Sequence, residues 1–325
     1  MAVPSKSFHI LRLPYLAIAE VIKEMDPFEK IAFSMTSSKC KKLAMSCKLS
    51  KLCHLALYIV EEPCFRIKFD DYQFEYIMTS DPSENGDRWV DENEDELEVA
   101  LKYSENILKG FMEFVEYVKE VLDLHIEDVL YTMDKFLPDN RYIIEWLKVL
   151  APSSLEINGG RVSREDVQYV LNNLRIEDEL SLDVDTLSNL PIVIPNRSRS
   201  LIIRKGEWFK LKHLLSLDAP HITIKKTNIS YKDLNVFLKK WMLAECHANL
   251  YQLEVDIPDG RTFFRIFHEL VLEHPDRDLP TRQFNDIVHL EGVTIKNKNG
   301  ILANLQALGM DDYFVFRMSI IEKDG

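Results

Sequence analysis

The stretch that decides the reading is Phe8–Ser46, FHILRLPYLAIAEVIKEMDPFEKIAFSMTSSKCKKLAMS, which holds three short helical patterns in under forty residues. After Pro14, the apolar residues Ile18, Val21, Ile22 and Met25 recur at the spacing of one helix face. Asp26 offers an N-cap oxygen and Pro27 a preset φ, so a second helix starts there, striped by Phe28, Ile31, Ala32 and Met35. Ser37 can cap a third, striped by Cys40, Leu43, Ala44 and Cys47. A piece this small has too much surface for its volume to cover three apolar faces by itself. It must bury them against the rest of the chain or against a partner.

Leu13-Pro14, then Val21-Ile22, then Asp26-Pro27, then Ser34 to Leu43 resemble the F-box, in the variant abundant among nematode F-box proteins. The resemblance implies docking on the Skp-type adaptor of a cullin-RING (SCF) ubiquitin ligase. It implies adaptor contacts at Leu13, Pro14, Ile18, Val21, Ile22, Met25, Pro27 and Ile31. Two positions depart from the general pattern: Leu16 stands where Glu is preferred, and Cys40 where Trp is preferred. The alternative reading of the same residues is a helical cap on the domain that follows.

Composition narrows the class. A chain of 325 residues with 46% hydrophobic and 29% charged residues is expected to be globular, with room for two or three domains. A net charge of −13 argues against nucleic acid or an anionic membrane as partner, since both need basic surface. No apolar run approaches the roughly 18 residues of a membrane helix. The run Leu13–Ala19, between Arg12 and Glu20, makes a poor signal peptide. Five cysteines fit free thiols in a reducing compartment, cytoplasmic or nuclear.

Beyond the N-terminal stretch the period changes. LALYIV, FRIKF and FEYIM between Leu55 and Thr79 read as a short antiparallel meander. Ser80–Glu98 carries nine acidic residues and no Lys, so a solvated, mobile loop is expected. Asp91, Asn93 and Asp95 mimic the start of an EF-hand. Glu96 in place of the required Gly, and Lys102 in place of the bidentate Glu, rule calcium out. Ser104–Asp123 is an amphipathic helix whose stripe includes Ile107, Leu108, Phe111, Phe114, Val115, Val118 and Leu122.

From there apolar pairs recur at Leu124/Ile126, Leu155/Ile157, Leu180/Leu182, Leu201/Ile203, Ile222/Ile224, Leu253/Val255, Val288/Leu290 and Phe314/Phe316. Helical patterns separate several of them, at Asn140–Leu150, Ser163–Leu174, Trp208–Leu217, Tyr231–Glu245 and Arg261–Leu272. Strand and helix alternating at such intervals predict an α/β (α+β overall) chain: a three-helix F-box, then a leucine-rich-repeat-like curved parallel α/β solenoid. A non-repetitive α/β or α+β domain is the alternative. Asp178 to Ile257 also resembles the F-box-associated domain of those nematode proteins, in the order SLDVD, RSLIIRKGEWF, PHITIKKTNISYKDLNVFLKKWM, NLYQLEVDI. That resemblance implies recruitment of a substrate. A regular leucine-rich repeat carries Asn where Gly160, Asp185, Gly206 and Thr227 stand here. The expected division is 1–50 F-box, 51–123 meander, acidic loop and linking helix, and 124–325 repeat-like substrate-recruiting domain.

Catalytic signatures are missing. There is no G-x-S-x-G, P-loop, G-x-G-x-x-G or C-x-x-C, and no His pair at i, i+4. Cys246-His247 are adjacent but end a helical pattern, which makes a buried thiol beside a helix-end His the simpler reading. Asn196-Arg197-Ser198 and Asn228-Ile229-Ser230 match the glycosylation sequon by coincidence in a reducing compartment. No enzyme, cofactor or metal site is expected.

One stretch stands apart electrostatically. From Arg197 to Lys240 eleven Lys or Arg face three carboxylates, a net +8 within a chain of −13. Two successive 21-residue intervals put Asp183, Arg204 and Lys225 in one register, with Arg204 expected to pair Asp183 and Lys225 to meet an incoming anion. Arg204, Lys205, Lys225, Lys226 and Ile202 are thus candidate contacts for a protein target, acidic or phosphorylated. The alternative is that these cations pair within the chain. The reading is a non-enzymatic substrate-recognition subunit of an SCF ligase, linked through the adaptor to a cullin. The rival is a peptide-binding scaffold solenoid outside any ligase, with an N-terminal helical cap.

Overall fold

Two of the three N-terminal helices start where a side chain takes up an orphan backbone N–H. The structure is a computed structural model that describes residues 10–47, 53–69, 72–91, 97–186, 192–195, 197–266, 293–310 and 313–321. After a 3-10 turn at Ile10–Arg12, α1 (Tyr15–Lys23) begins at Pro14 with no side-chain cap. At α2 (Pro27–Met35), Asp26 Oδ1 accepts from the Glu29 N–H at 2.7 Å, and the Glu29 carboxylate reaches back to the Asp26 N–H at 3.3 Å. This reciprocal box, with Pro27 at the first helical position, is the start the sequence encodes. Ser37 Oγ caps α3 (Ser38–Ser46) by accepting from Cys40 N–H at 3.2 Å.

The chain divides into two compact units, Met1–Leu130 and Tyr131–Gly325. In the first, β1 (Cys53–Ile59), β2 (Cys64–Phe69) and β3 (Tyr72–Thr79) form the expected antiparallel meander. The acidic stretch corrects its sequence reading. It folds as a 3-10 turn at Pro82–Glu84 and a strand β4 (Arg88–Asp91) antiparallel to β5 (Leu97–Tyr103), which itself lies parallel to β3. Residues 92–96 lie outside the described residues. The cause is packing: Leu97 and Val99 are buried, and the Arg88 guanidinium sits 4.9 Å from the Phe28 ring centroid.

Helix α4 (Ile107–Leu122) covers this sheet with Phe111, Met112, Phe114, Val115, Val118, Val121 and Leu122 buried. Asn106 caps its start by accepting from Lys109 N–H at 2.9 Å. The strand β6 (His125–Thr132) follows. The core is aromatic. Phe28 of α2 meets Phe74 and Tyr76 edge-on at 5.2 and 4.7 Å, and Tyr76 meets Phe114 at 4.9 Å. Ser34 and Tyr117 share a hydrogen bond of 2.8 Å, and Lys41 pairs with Glu120 at 2.6 Å. Helices α2 and α3 are thereby fastened to α4.

The second unit contains a 3-10 turn at Met133–Lys135, then α5 (Asn140–Leu150), β7 (Ser154–Val162), α6 (Arg164–Asn173), β8 (Glu179–Thr186), β9 (Ser200–Ile203) and α7 (Leu211–Ser216). There follow β10 (His221–Ile224), α8 (Tyr231–Met242), β11 (Gln252–Ile257), α9 (Gly260–Ile266), β12 (Val293–Lys296), β13 (Leu302–Gly309) and β14 (Phe314–Ile321). Within the unit the strand order is β7-β8-β9-β10-β11-β14-β13-β12.

Strands β7 to β11 are parallel, and their apolar pairs fall in register: Leu155, Leu180, Leu201, Ile222 and Leu253 in one row, Ile157, Leu182, Ile203, Ile224 and Val255 in the next. All ten are buried. Val170 and Leu171 of α6 close over Leu155 and Leu180, so the apolar rows are the helix side of the sheet. The mixed α/β class therefore stands, but a solenoid does not form. Phe316, which would have continued the arc, lies antiparallel against Val255, and β13 and β12 continue antiparallel. Apolar alternation fixes which residues face the core and says nothing of strand direction. Val288/Leu290 and residues 267–272 lie outside the described residues.

Two substitutions test this account. Phe28→Ala should destabilise the first unit by about 3–5 kcal/mol, seen as faster amide exchange in β3 and α4; unchanged exchange would refute the aromatic core. At Gly206, whose N–H donates to the Lys225 carbonyl at 2.9 Å, an added Cβ would come 2.7 Å from that same oxygen. Gly206→Ala should therefore cost about 1–3 kcal/mol, while Gly160→Ala, whose Cβ would meet nothing nearer than 3.5 Å, should leave the melting temperature close to wild type.

Candidate docking surfaces

Helix α1 reads YLAIAEVIK, with Glu20 and Lys23 its polar residues. Ile18, Ala19 and Ile22 turn inward against Cys47, flanked by Leu13, Met25, Phe33 and Leu43. At 100° per residue, Leu16, Ala17 and Val21 then lie on the opposite side, and all three are exposed, Leu16 at 77%. Tyr15 is 56% exposed and Leu11 37%.

This divides the residues read from sequence as adaptor contacts. Ile18, Ile22, Pro27 and Ile31 are covered by the chain's own side chains, and Leu13 and Met25 are half-buried. Pro14 and Val21 are exposed. The stripe rule picked out the inner face, while Leu11, Tyr15, Leu16 and Ala17 lie outside that stripe and are exposed. The signal was present, because Leu16, Ala17 and Val21 are apolar residues off the inner stripe, interrupted on the outer side by Glu20 and Lys23.

The interior holds one cation as well. Lys30 is fully buried, and its ammonium donates to the Cys47 carbonyl at the end of α3. Burial pulls its pKa down, with Cys47 and Cys53 acting in the opposite sense. The site binds the helices together rather than facing outward.

On the second unit the residues between and after the apolar pairs share the other face of the sheet. Ser181, Ile202 and Thr223 stand side by side, as the 21-residue interval requires. The charges pair differently from the sequence reading. Arg204 does not take Asp183. Its guanidinium donates to Ser181 Oγ at 3.2 Å and reaches Glu156, two strands away, at 3.2 Å. Lys205 takes Asp183 at 3.1 Å and Asp185 at 3.2 Å. Burial alone would lower the Lys205 pKa, but these hydrogen bonds outweigh it and hold the ammonium above its ordinary value.

Lys226 has a left-handed φ of 47° and donates its backbone N–H to Asp256 at 2.8 Å. Burial raises the Asp256 carboxyl, opposed by that hydrogen bond and by the Lys225 and Lys226 charges. Ile202 is half-buried between Ser181 and Thr223. Arg204 and Lys205 thus meet carboxylates of their own ladder, because a strand only about 4.8 Å away lies within reach of a long side chain.

Neither Cys246 nor His247 is set up for nucleophilic chemistry. Burial raises the Cys246 thiol and lowers His247, whose ring lies edge-on to Phe237 at 5.0 Å. Among the described residues no three His, Cys, Asp or Glu side chains gather as metal ligands would. No helix of the described residues is long and apolar enough to cross a membrane.

Comparison with known proteins agrees with the order of these surfaces. Residues 10–52 match the family described as F-box domain, and residues 189–255 the family described as F-box associated. The chain is also similar to the Skn-1 dependent zygotic transcript 15 protein of Caenorhabditis elegans. The two are 24% identical over 272 residues, 74% of this chain and 79% of that one. No solved structure matches. With the three short helices over the first matched stretch and the parallel ladder of β9 to β11 over the second, residues 10–52 of the chain form an F-box domain and residues 189–255 belong to an F-box-associated domain.

Proposed function

We propose that the chain is the substrate-recognition subunit of an SCF-type ubiquitin ligase. Its F-box docks a Skp-type adaptor, and through it a cullin, while its F-box-associated domain holds the target. The observation that carries this reading is the two-sided apolarity of α1. Ile18, Ala19 and Ile22 are used internally, while Leu16, Ala17 and Val21, with Pro14 before them, are left at the surface. The inner residues, including Ile31 and Pro27, hold the helices in place, and the outer ones supply the contact.

The work of such a subunit is proximity. Holding target and ligase together makes an encounter between them effectively intramolecular. No activated nucleophile is required of the chain for this. Target recognition falls to the second unit. The cations that follow β9 contribute less to it than the charge count suggests, since Arg204 and Lys205 already serve Glu156, Asp183 and Asp185.

Co-expression with a Skp-type adaptor, followed by co-purification and calorimetry, tests the docking face. Each outer side chain should contribute roughly 1.5–3 kcal/mol when covered. Leu16→Asp with Val21→Asp should therefore weaken capture at least about a hundredfold without lowering the melting temperature. Ile22→Asp, by contrast, should unfold the three helices. Undiminished capture by the double variant would remove the docking face. Failure of the wild-type chain to capture any adaptor would leave the scaffold reading instead.

A further inference from the structure

Strand β4 ends the strand order β3-β5-β4, and among the described residues it has a neighbour on one side only. Its pairing with β5 decides which backbone groups face outward. The Leu101 carbonyl of β5 accepts from Gly86 N–H at 2.9 Å, and the Leu101 N–H donates to the Asp87 carbonyl at 3.0 Å. Two residues back along β5, Val99 stands opposite Trp89. The N–H and C=O of an extended strand change sides at each residue, so Asp87 and Trp89 turn theirs to β5. Arg88 and Val90 turn theirs to the open edge, where neither finds a backbone partner among the described residues. Such a row of unpaired groups is what an extended segment needs to add as one more strand.

The side chains decide which segment fits. Asp87, Trp89 and Asp91 alternate onto one face of the strand, and Arg88 and Val90 onto the other, where the Arg88 guanidinium lies over Phe28. Trp89 is 44% exposed and Val90 59%, and Asp87 is exposed. Directly opposed residues of paired strands share a face, with Cβ atoms roughly 5 Å apart. An acid–aromatic–acid row therefore matches a basic–apolar–basic row on the incoming strand. The surrounding charge agrees, since Ser80–Asp91 holds Asp81, Glu84, Asp87 and Asp91 against Arg88 alone. A second copy of the chain is the poorer occupant. Antiparallel pairing of β4 with itself, Arg88 opposite Val90 of the copy, sets Asp87 of one against Asp91 of the other.

We propose that the open edge of β4 takes up an extended basic segment of a partner protein as an additional strand. The cations of the segment meet Asp87 and Asp91, the apolar residue between them lies on Trp89, and its backbone bonds that of Arg88 and Val90. Main-chain bonds supply the affinity and the alternate side chains the selection. Because β4 is four residues long, one short segment fills it. The site belongs to the first unit and is independent of target recognition by the second.

The test uses the full chain and fluorescein-labelled peptides read by anisotropy. The probe is Gly-Thr-Lys-Thr-Val-Thr-Lys-Thr-Gly. One control has Glu in place of both Lys, and another keeps every side chain but carries N-methyl groups on the two Thr that flank Val. The basic peptide should bind saturably, and each control at least about tenfold more weakly. Val90→Pro removes an outward N–H that β5 does not use, at a position where an edge strand tolerates proline, and should weaken binding of the basic peptide. Asp87→Lys, which leaves the backbone alone, should do the same, so the test does not hang on how well the proline variant folds. Equal binding of the Glu peptide, equal binding of the N-methyl peptide, no saturable binding, or indifference to Asp87→Lys would each overturn the proposal. Sedimentation of the chain alone checks the other occupant. Dimerisation that Val90→Pro weakens would give the edge to a second copy and overturn the proposal as well.

Discussion

The second unit depends on one constraint: two apolar side chains per strand must reach the same face at the same height. Leu155 to Leu253 and Ile157 to Val255 satisfy it over five parallel strands, although the chain between successive pairs varies from 21 to 31 residues. Connecting length is free because it lies outside the ladder, whereas a slip of one residue would turn both rows to the polar face. Glu156, Ser181 and Ile202 are placed by the same alternation, without further instruction. Gly206 shows how closely the strand ends approach, with a neighbouring backbone oxygen where a Cβ would sit.

In the first unit the corresponding constraint is on area. Three nine-residue helices present more apolar surface than they can hide among themselves. Helices α2 and α3 solve this by packing on α4 and the meander, with Phe28 set between Phe74 and Tyr76. Helix α1 gives one side to Cys47 and its neighbours, and among the described residues Leu16, Ala17 and Val21 stay exposed on the other. That exposed apolar surface is what the proposed docking of the F-box would cover.

Charge acts differently on the two scales. Counted along the chain, the stretch Arg197–Lys240 looks like an anion receptor. Counted in space, Arg204 and Lys205 are absorbed by Glu156, Asp183 and Asp185, which lie on other strands and outside that stretch. Exposed pairs of this kind contribute only about 0–1 kcal/mol each, so their effect is to quieten the face rather than to hold the fold.

The sequence by itself determined what depends on neighbours a few residues apart. It set the box at Asp26 and Glu29, the cap at Ser37, the meander from Leu55 to Thr79, the α4 stripe, and the 21-residue register from Leu180 to Ile222. It also held the pattern shared with the F-box. The tertiary structure alone decided the direction of β14 and β13, which turned an expected solenoid into a mixed sheet, and the pairing of β4 with β5 in a stretch whose charge suggested a loop. It also decided which side of α1 stays outside and which carboxylate each cation meets. The reason is physical. Caps and stripes are set by contacts within one or two turns of chain, whereas strand direction and ion pairing depend on which distant segment arrives alongside.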